Sequence, residues 1–455
     1  MKTQINKLEY FEDSTIYCEV LRSENWMIYL DSCYSTSKFG RYDIIAANPF
    51  IKFISYGNKI QLEEFNETII FNDNPFFVIN DILKKYKCNK SIEPFTNGLI
   101  GYFGYEADIQ KMHKISDDKS TVPDIAIGIY DWSIIVDHRD KKSWIASHGN
   151  DSETLNKVTN YINNYKDCVI NNRAKFNFSN FKCNTKKDTY NKNINKIKDY
   201  IREGDCYQVN YSQSFESDYV GDEWLIYKKI RKINPAPYSA FFKRDNQYVI
   251  SSSPERFIKV SGGIVETKPI KGTAERVSDE NEDKKQIEFL KKDKKNISEN
   301  LMIVDLLRND LSKSCKLGTV KVDKLFNIES YKSVHHMVST ISGEINDNLT
   351  SLDLFKGCFP GGSITGAPKK RSMEIIRELE GVDRKLYCGS IGYLDFNGNM
   401  DTNICIRTIT LNNNKLYFSA GGGIVNDSNI NDEYNECFAK VNQFLNFFSN
   451  GNFKW

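Results

Sequence analysis

The sequence predicts an α+β protein with large, mostly antiparallel sheets, and three observations predict it. Hydrophobic residues make up 40% of 455 positions, with 25 Tyr and 28 Phe, which is enough apolar surface for a substantial interior and too much for a disordered chain. Short runs of β-branched and aromatic residues recur towards both ends, punctuated by Gly, Asn and Pro. Helical and strand-like segments mix without the regular strand–helix–strand repeat of a doubly wound sheet. The length exceeds that of a usual single domain, so one or two cores are possible.

From about residue 10 to 175 the chain reads as strands: IYCEVL, WMIYLDS, IKFISYG, LIGYFGY and AIGIYDWSIIVDH. An Asn- and Lys-rich stretch, about Asn171 to Asn193, reads as a surface loop or linker. Ile194, Ile197 and Ile201 then stand at helical spacing, with Gly204 as the stop, and deliver the strand-like CYQVNYSQSF. One long amphipathic helix is expected over about Glu280 to Leu311, followed by strands near Thr319–Phe326 and Val334–Ile341. SLDLFKGCF and KKRSMEIIRELEG read as helices around the loop PGGSITGAP. CGSIGYLDF, TNICIRTITL and KLYFSAGGGIV read as strands, and a last helix covers about Asn431 to Phe448.

Composition excludes several functions. The formal net charge is only +2, far from the excess that phosphate neutralisation favours, and the basic run from Lys284 interleaves Ile287, Phe289 and Leu290 as on a solvated helix. No nucleic-acid partner is expected. Eleven cysteines with no CxxC pair form neither a disulfide framework nor a zinc ribbon, which fits a reducing compartment. The start lacks an apolar signal core and no run is long enough to span a bilayer, so the expected location is the cytoplasm, with no membrane partner.

Several constellations could carry chemistry. Lys271, in VETKPIKGTAER, sits between a proline that sets the backbone ahead of it and a glycine that lets the chain turn after it. It reads as a nucleophile, an anion clamp or an exposed turn residue. Glu433, Glu436 and Lys440 share a face of the last helix, and Glu299 precedes an apolar run on another. These glutamates read either as a solvated face with an ordinary Glu436–Lys440 pair or as hard oxygen donors suited to Mg²⁺.

Gly421, Gly422 and Gly423 end a strand where backbone N–H groups could approach an anion, or simply make a tight turn. FPGGSITGAPKK departs from a phosphate loop after Gly366, so no nucleotide site is expected. His335 and His336 fall in a strand, one facing in and one out. Arg407 alternates with Ile404, Ile406 and Ile409 and is costly to bury without an anion. Tyr387 accompanies it or is plain core, and Glu255 follows a turn-like Ser251–Pro254 run.

Taken in order over about residues 190 to 445, GDCYQVNYSQSF, NPAPYSAFF, SSSPERF, TKPIKGT, ENLMIVDLLRNDL, FPGGSITGAPKKRSMEII, YCGSIGY, AGGGIV and EYNECFAK resemble the chorismate-utilising enzymes. NWMIYLDS, GRYDIIAANP, NGLIGYFGYE and IAIGIYDWSIIVDH resemble the same family's N-terminal part. The resemblance implies a sandwich of two large antiparallel sheets with helices outside. It also implies an N-terminal region over 1–175 and a chorismate-binding region over 185–450, interwoven in one compact unit. PIKGT is similar to the para-aminobenzoate branch, whereas anthranilate synthases carry PIAGT. The implied reaction is Mg²⁺-dependent conversion of chorismate and ammonia to 4-amino-4-deoxychorismate, towards para-aminobenzoate and folate. Anthranilate formation, towards tryptophan, is the alternative.

On this resemblance Lys271 is the nucleophile, Glu255 the general acid, and His336 and Thr273 contact the ring. Glu299 and Glu436 match direct Mg²⁺ ligands and Glu433 one acting through water. Arg407 and Tyr387 match the enolpyruvyl carboxylate clamp, helped by the backbone at Gly423, with Gly421 and Gly422 also at the substrate. Ser363 and Gln208 are further substrate contacts. Gln208 replaces the lysine that activates water in isochorismate and salicylate synthases. Ser32, in LDS, resembles part of a tryptophan site, so bound tryptophan is a possible partner. No glutaminase pattern is visible, so a glutamine amidotransferase partner is implied. Asn296 replaces a usual acidic residue, AGGGIV the commoner AGAGIV, and Ser214 an arginine often found after SQ.

Overall fold

The structure, a computed structural model, describes residues 3–34, 40–86, 94–108, 122–148, 156, 158–160, 162, 176–179, 181–331 and 334–448. Two antiparallel sheets dominate these residues, one of 13 strands and one of 12. The first runs through Thr3–Leu8, Lys142–His148, Trp132–Asp137, Tyr42–Ala46, Ile28–Asp31, Tyr238–Arg244, Gln247–Ser253, Thr408–Asn412, Lys415–Ile424, Gln208–Gly221 and Phe176–Phe178. The second runs through Ile270–Glu275, Val334–Glu344, Ile264–Thr267, Arg256–Ser261, Met400–Asn403, Ser390–Asp395, Gly98–Phe103, Ile125–Tyr130, Ile51–Tyr56, Lys59–Glu64 and Glu67–Asn72. Early and late strands are neighbours in both. Tyr29 stands opposite Phe241 in the first, and Gly101 opposite Gly392 in the second.

The period-2 alternation of a strand explains the layering. Ile28, Ile135 and Phe242 from the first sheet meet Ile100, Ala126 and Ile391 from the second in one cluster between the sheets. Their chain neighbours Tyr29, Ile134 and Phe241 point the other way, against the helices Thr15–Leu21, Glu223–Ile233 and Ile430–Phe448. Leu99, Ile125 and Ile127 likewise turn towards the helices Pro75–Lys85, Lys294–Ser312 and Ser351–Cys358. Both faces of the central strands are therefore buried, so they read as continuous apolar runs rather than as alternating ones. The expected α+β sandwich with outer helices is observed.

Several local expectations are corrected. IYCEVL is a helix, Thr15–Leu21: Asp13 accepts from the Thr15 N–H and hydroxyl at its start, and packing against Trp224 and Tyr227 overrides strand propensity. The helix Pro75–Lys85, capped by Asn74, is an addition to a region read as strands. The long helix from Glu280 is two, Glu280–Lys292 and Lys294–Ser312, because Asp293 adopts an extended conformation and caps the second through the Asn296 N–H. The Asn- and Lys-rich segment pairs as a strand at Phe176–Phe178 and Lys182–Cys183 and becomes helical from Lys187, while 171–175 lie outside the described residues.

TNICIRTITL is not one strand. It leaves the second sheet after Asn403 and enters the first at Thr408, with Arg407 at φ +52° in the crossing. His335 and His336 are both buried, because the helix Glu280–Lys292 covers one face, where Asp283 meets His335 at 3.0 Å, and Thr273 meets His336 on the other. No helix among the described residues is long and apolar enough to cross a membrane.

Candidate active site

A cavity of about 630 Å³ opens where the two sheets and two helices meet. The edge strand Ile270–Glu275 contributes Lys271, Gly272 and Thr273. Its register against Val334–Glu344 shifts between Ile270 and Thr273, and Gly272 has φ +90°. That irregularity lets an extra residue bend the strand and re-aim its side chains, so Lys271 points into the cavity. The sequence Pro-Ile-Lys-Gly-Thr thus marks a bulge. A methyl group on Gly272 would stand 3.1 Å from Asn296, which also lines the cavity.

Opposite, Ser363 in the turn Gly362–Ile364 faces both titratable candidates. Its hydroxyl donates to Glu255 Oε1 at 2.8 Å, and Lys271 Nζ donates to its carbonyl at 3.3 Å. Burial pushes the Glu255 carboxyl up to about 7 against the opposing pull of the Ser363 hydrogen bond and the Lys271 charge. Burial also pushes the Lys271 ammonium below its ordinary value, although Glu299 and Glu255 oppose the shift. The pair is poised as a carboxylic acid beside an amine that deprotonates more easily than a surface lysine.

His336 Nδ1 and the Thr273 hydroxyl are 2.8 Å apart, and burial, with help from the Arg407 charge, depresses the imidazole to about 3. His336 is therefore neutral at physiological pH. Arg407 and Tyr387 line the same cavity, and Arg407 Nη1 donates a long hydrogen bond, 3.4 Å, to Asn234 Oδ1. Gly421, Gly422 and Gly423 form the wall made by the strand Lys415–Ile424.

Glu299 on the helix Lys294–Ser312 and Glu433 and Glu436 on the helix Ile430–Phe448 complete the lining. Lys295 Nζ stands 4.0 Å from Glu299 and 3.8 Å from Glu433, so carboxylates from two helices share one cation. Burial, then the Glu436 charge, raises the Glu433 carboxyl, whose Oε1 accepts from Ser428 at 2.7 Å. For Glu436 burial is opposed and outweighed by Lys440 at 2.8 Å, and its carboxyl titrates below the ordinary value. This pair is partly exposed and contributes roughly 0.3–0.5 kcal/mol as an i,i+4 contact. Among the described residues no three His, Cys, Asp or Glu side chains converge as a ready metal cluster. The donor chemistry, carboxylate oxygen from two helices already sharing a positive charge, nevertheless fits a hard divalent cation.

Two anticipated positions lie elsewhere. Gln208 is fully buried behind the wall, against Gly423, and neither of its amide atoms has a hydrogen-bond partner among the described residues. Ser32 lines a separate cavity of about 290 Å³ with Tyr42, Ser239 and Tyr393, and its N–H and hydroxyl both donate to Asp43 at 2.8 Å. Sequence reasoning passed over Asn210, Lys295 and Lys440 as cavity residues. Both lysines stand four residues from a glutamate, Lys295 before Glu299 and Lys440 after Glu436, so helical spacing was the available signal. For Asn210 there was none.

Residues 30–446 match the model of the chorismate binding enzyme family. The chain is 40% identical over 426 residues to aminodeoxychorismate synthase component 1 of Escherichia coli (strain K12), covering 92% of each protein. It is 36% identical to anthranilate synthase component 1 of Acetivibrio thermocellus, covering 98% of this chain and 92% of that protein. The crystal structure of anthranilate synthase component I from Streptococcus pneumoniae TIGR4 superposes with a TM-score of 0.79 at 30% identity, over 89% of this chain and 92% of that one.

Proposed function

We propose that this chain, which belongs to the chorismate binding enzyme family, aminates chorismate at C4 to give 4-amino-4-deoxychorismate for para-aminobenzoate and folate synthesis. The observation that carries the reading is the Glu255–Ser363–Lys271 contact inside one cavity. Its support from relatives is the 40% identity to aminodeoxychorismate synthase component 1.

The neutral Lys271 amine attacks C2 of chorismate, both ring double bonds shift, and the C4–O bond breaks as Glu255 gives its proton to the departing hydroxyl, leaving water, a Glu255 carboxylate and a secondary ammonium at C2. Ammonia then bonds to C4, both double bonds return, the C2–N bond breaks to release Lys271 as a neutral amine, and the new C4 ammonium gives a proton back to Glu255. Burial of both groups favours this division of labour, since it disfavours the ammonium and the carboxylate alike. Arg407 and Tyr387 hold the enolpyruvyl carboxylate beside the backbone of Gly421 to Gly423, and neutral His336 with Thr273 contacts the ring. Glu299 and Glu436, with Glu433 farther out, would hold Mg²⁺, which when bound supplies positive charge for the ring carboxylate. Gln208 supports the wall from behind. A glutamine amidotransferase partner supplies ammonia, the cavity at Ser32 takes tryptophan, and the enzyme works in the cytoplasm.

The second reading, anthranilate synthesis, is favoured by the 36% identity to an anthranilate synthase component 1 over nearly the whole chain. Mass-resolved product analysis with chorismate, Mg²⁺ and excess ammonium decides between them. An aminated product that retains the enolpyruvyl group is expected. Anthranilate with pyruvate would replace the proposal by the second reading.

A further inference from the structure

The walls of the cavity are carried by segments far apart in the chain, and several converge on one buried side chain behind them. Arg384 is 6% exposed and lies between the helix Lys369–Glu380 and the strand Ser390–Asp395. Its Nη2 donates to the Asn210 carbonyl at 2.6 Å, and its Nη1 to the Ile364 carbonyl at 2.9 Å. Nε and Nη2 also grip Glu380 at 2.9 and 2.7 Å. The Tyr387 ring centre lies 5.7 Å from the guanidinium carbon. From the other side, Glu106 accepts from the backbone N–H groups of Arg384 and Lys385 at 2.9 and 3.0 Å.

Asn210, Ile364 and Tyr387 line the cavity, whereas Arg384 does not. Ile364 follows Ser363 directly, so the carbonyl held by Arg384 belongs to the turn that presents Ser363 to Glu255 and Lys271. A guanidinium is a planar fork with donors in fixed directions, and an ammonium cannot span the same two carbonyls while keeping a bidentate carboxylate.

We propose that Arg384 is a positioning residue for the reaction: its fork locks the Asn210 strand, the Ser363–Ile364 turn and Tyr387 in one register, and so sets the distance between Glu255 and Lys271. This rests on the function proposed above. A purely structural ion pair with Glu380 would hold the fold together and leave that register untouched.

Two variants separate the possibilities. In the double variant Arg384→Met/Glu380→Gln no unpaired buried charge remains, so the fold is spared the larger penalty of breaking the pair. In Arg384→Lys the charge stays and the fork is lost. For each, hydrogen–deuterium exchange is measured by mass spectrometry without substrate, and kcat and KM for chorismate are measured with ammonium.

Expected in both is faster exchange confined to residues 206–212, 361–368 and 384–389. Expected too is a kcat lowered about tenfold or more, since small misplacements of reacting groups are costly, with KM changed by less than about threefold. Wild-type exchange in those segments, or wild-type kcat, in a cooperatively melting variant overturns the proposal. So does full recovery of kcat by Arg384→Lys. If the double variant does not melt cooperatively, Arg384→Lys decides alone on the same measurements. If the wild-type protein forms no aminated product, the proposed function fails, and exchange alone then judges the clamp, with unaltered exchange overturning it.

Discussion

Glu255 and Lys271 are joined through a single residue: the Ser363 hydroxyl donates to the carboxyl at 2.8 Å, and the lysine donates to the Ser363 carbonyl at 3.3 Å. One turn thus orients an acid from the connection between two strands, Gln247–Ser253 and Arg256–Ser261, and an amine from a third, Ile270–Glu275. Since burial shifts both groups towards their neutral forms, the arrangement separates the roles of proton donor and nucleophile without requiring opposite charges.

Lys271→Ala removes the amine and leaves the rest of the cavity in place. The rate of 4-amino-4-deoxychorismate formation is expected to fall by about a hundredfold or more, in line with loss of a nucleophile or acid–base group. Intact-mass analysis of wild-type enzyme quenched during turnover should show an adduct that the variant lacks. An unchanged rate and product would remove Lys271 from the chemistry.

The pH profile carries a signature of Glu255. Its carboxyl must hold a proton and Lys271 must have lost one, so the productive population is bell-shaped, with the limb near pH 7 belonging to Glu255. Glu255→Gln should abolish that limb and lower kcat about 10²-fold or more. A limb that persists in the variant belongs to another group.

Glu436→Gln tests the cation site directly. The substitution keeps size, loses a hard oxygen charge and frees Lys440, so Mg²⁺ binding followed by calorimetry without substrate should weaken about tenfold. Equal affinity in variant and wild type would leave Glu436 as a simple partner of Lys440.

Glu106 links stability to pH. Burial, with the nearby Asp383 charge, raises its carboxyl from 4.5 to about 8, so between those values the folded chain holds a proton that the unfolded chain has released. Its stabilising contribution is complete below about pH 4.5 and is lost as pH rises through about 8, on the order of a few kcal/mol. Denaturant titration should show Glu106→Gln losing less stability than wild type between about pH 5 and pH 9. Parallel losses would contradict the assignment.

Gly423 leaves room for Gln208. A methyl there runs into the Gln208 amide, so Gly423→Ala should destabilise by about 1–3 kcal/mol through overpacking. Gln208→Ala in the same chain opens the space and removes an amide that lacks partners among the described residues, and should recover most of the loss in thermal unfolding. No recovery would show that the strain lies in the Gly423 backbone.

The amino-acid sequence by itself determined the class of the fold and set Lys271 apart between a proline and a glycine, because these reside in local pattern, while the family resemblance pointed to Glu255, Glu299, Arg407 and Glu436 among the residues that line the cavity. Runs of β-branched and aromatic residues read as strands, and proline with glycine around Lys271 reads as a turn, which the structure resolves into a bulged edge strand. What only the tertiary structure decided is how distant segments meet. IYCEVL became a helix because its face packs on Trp224 and Tyr227, which lie some two hundred positions away. Arg407 left its expected strand because the chain changes sheets there. Ser363 acquired two partners, and Arg384 two wall carbonyls, those of Asn210 and Ile364, from residues to which no periodicity connects them. Hydrogen-bond geometry between remote segments depends on the packing of whole sheets, and a linear pattern carries no record of it.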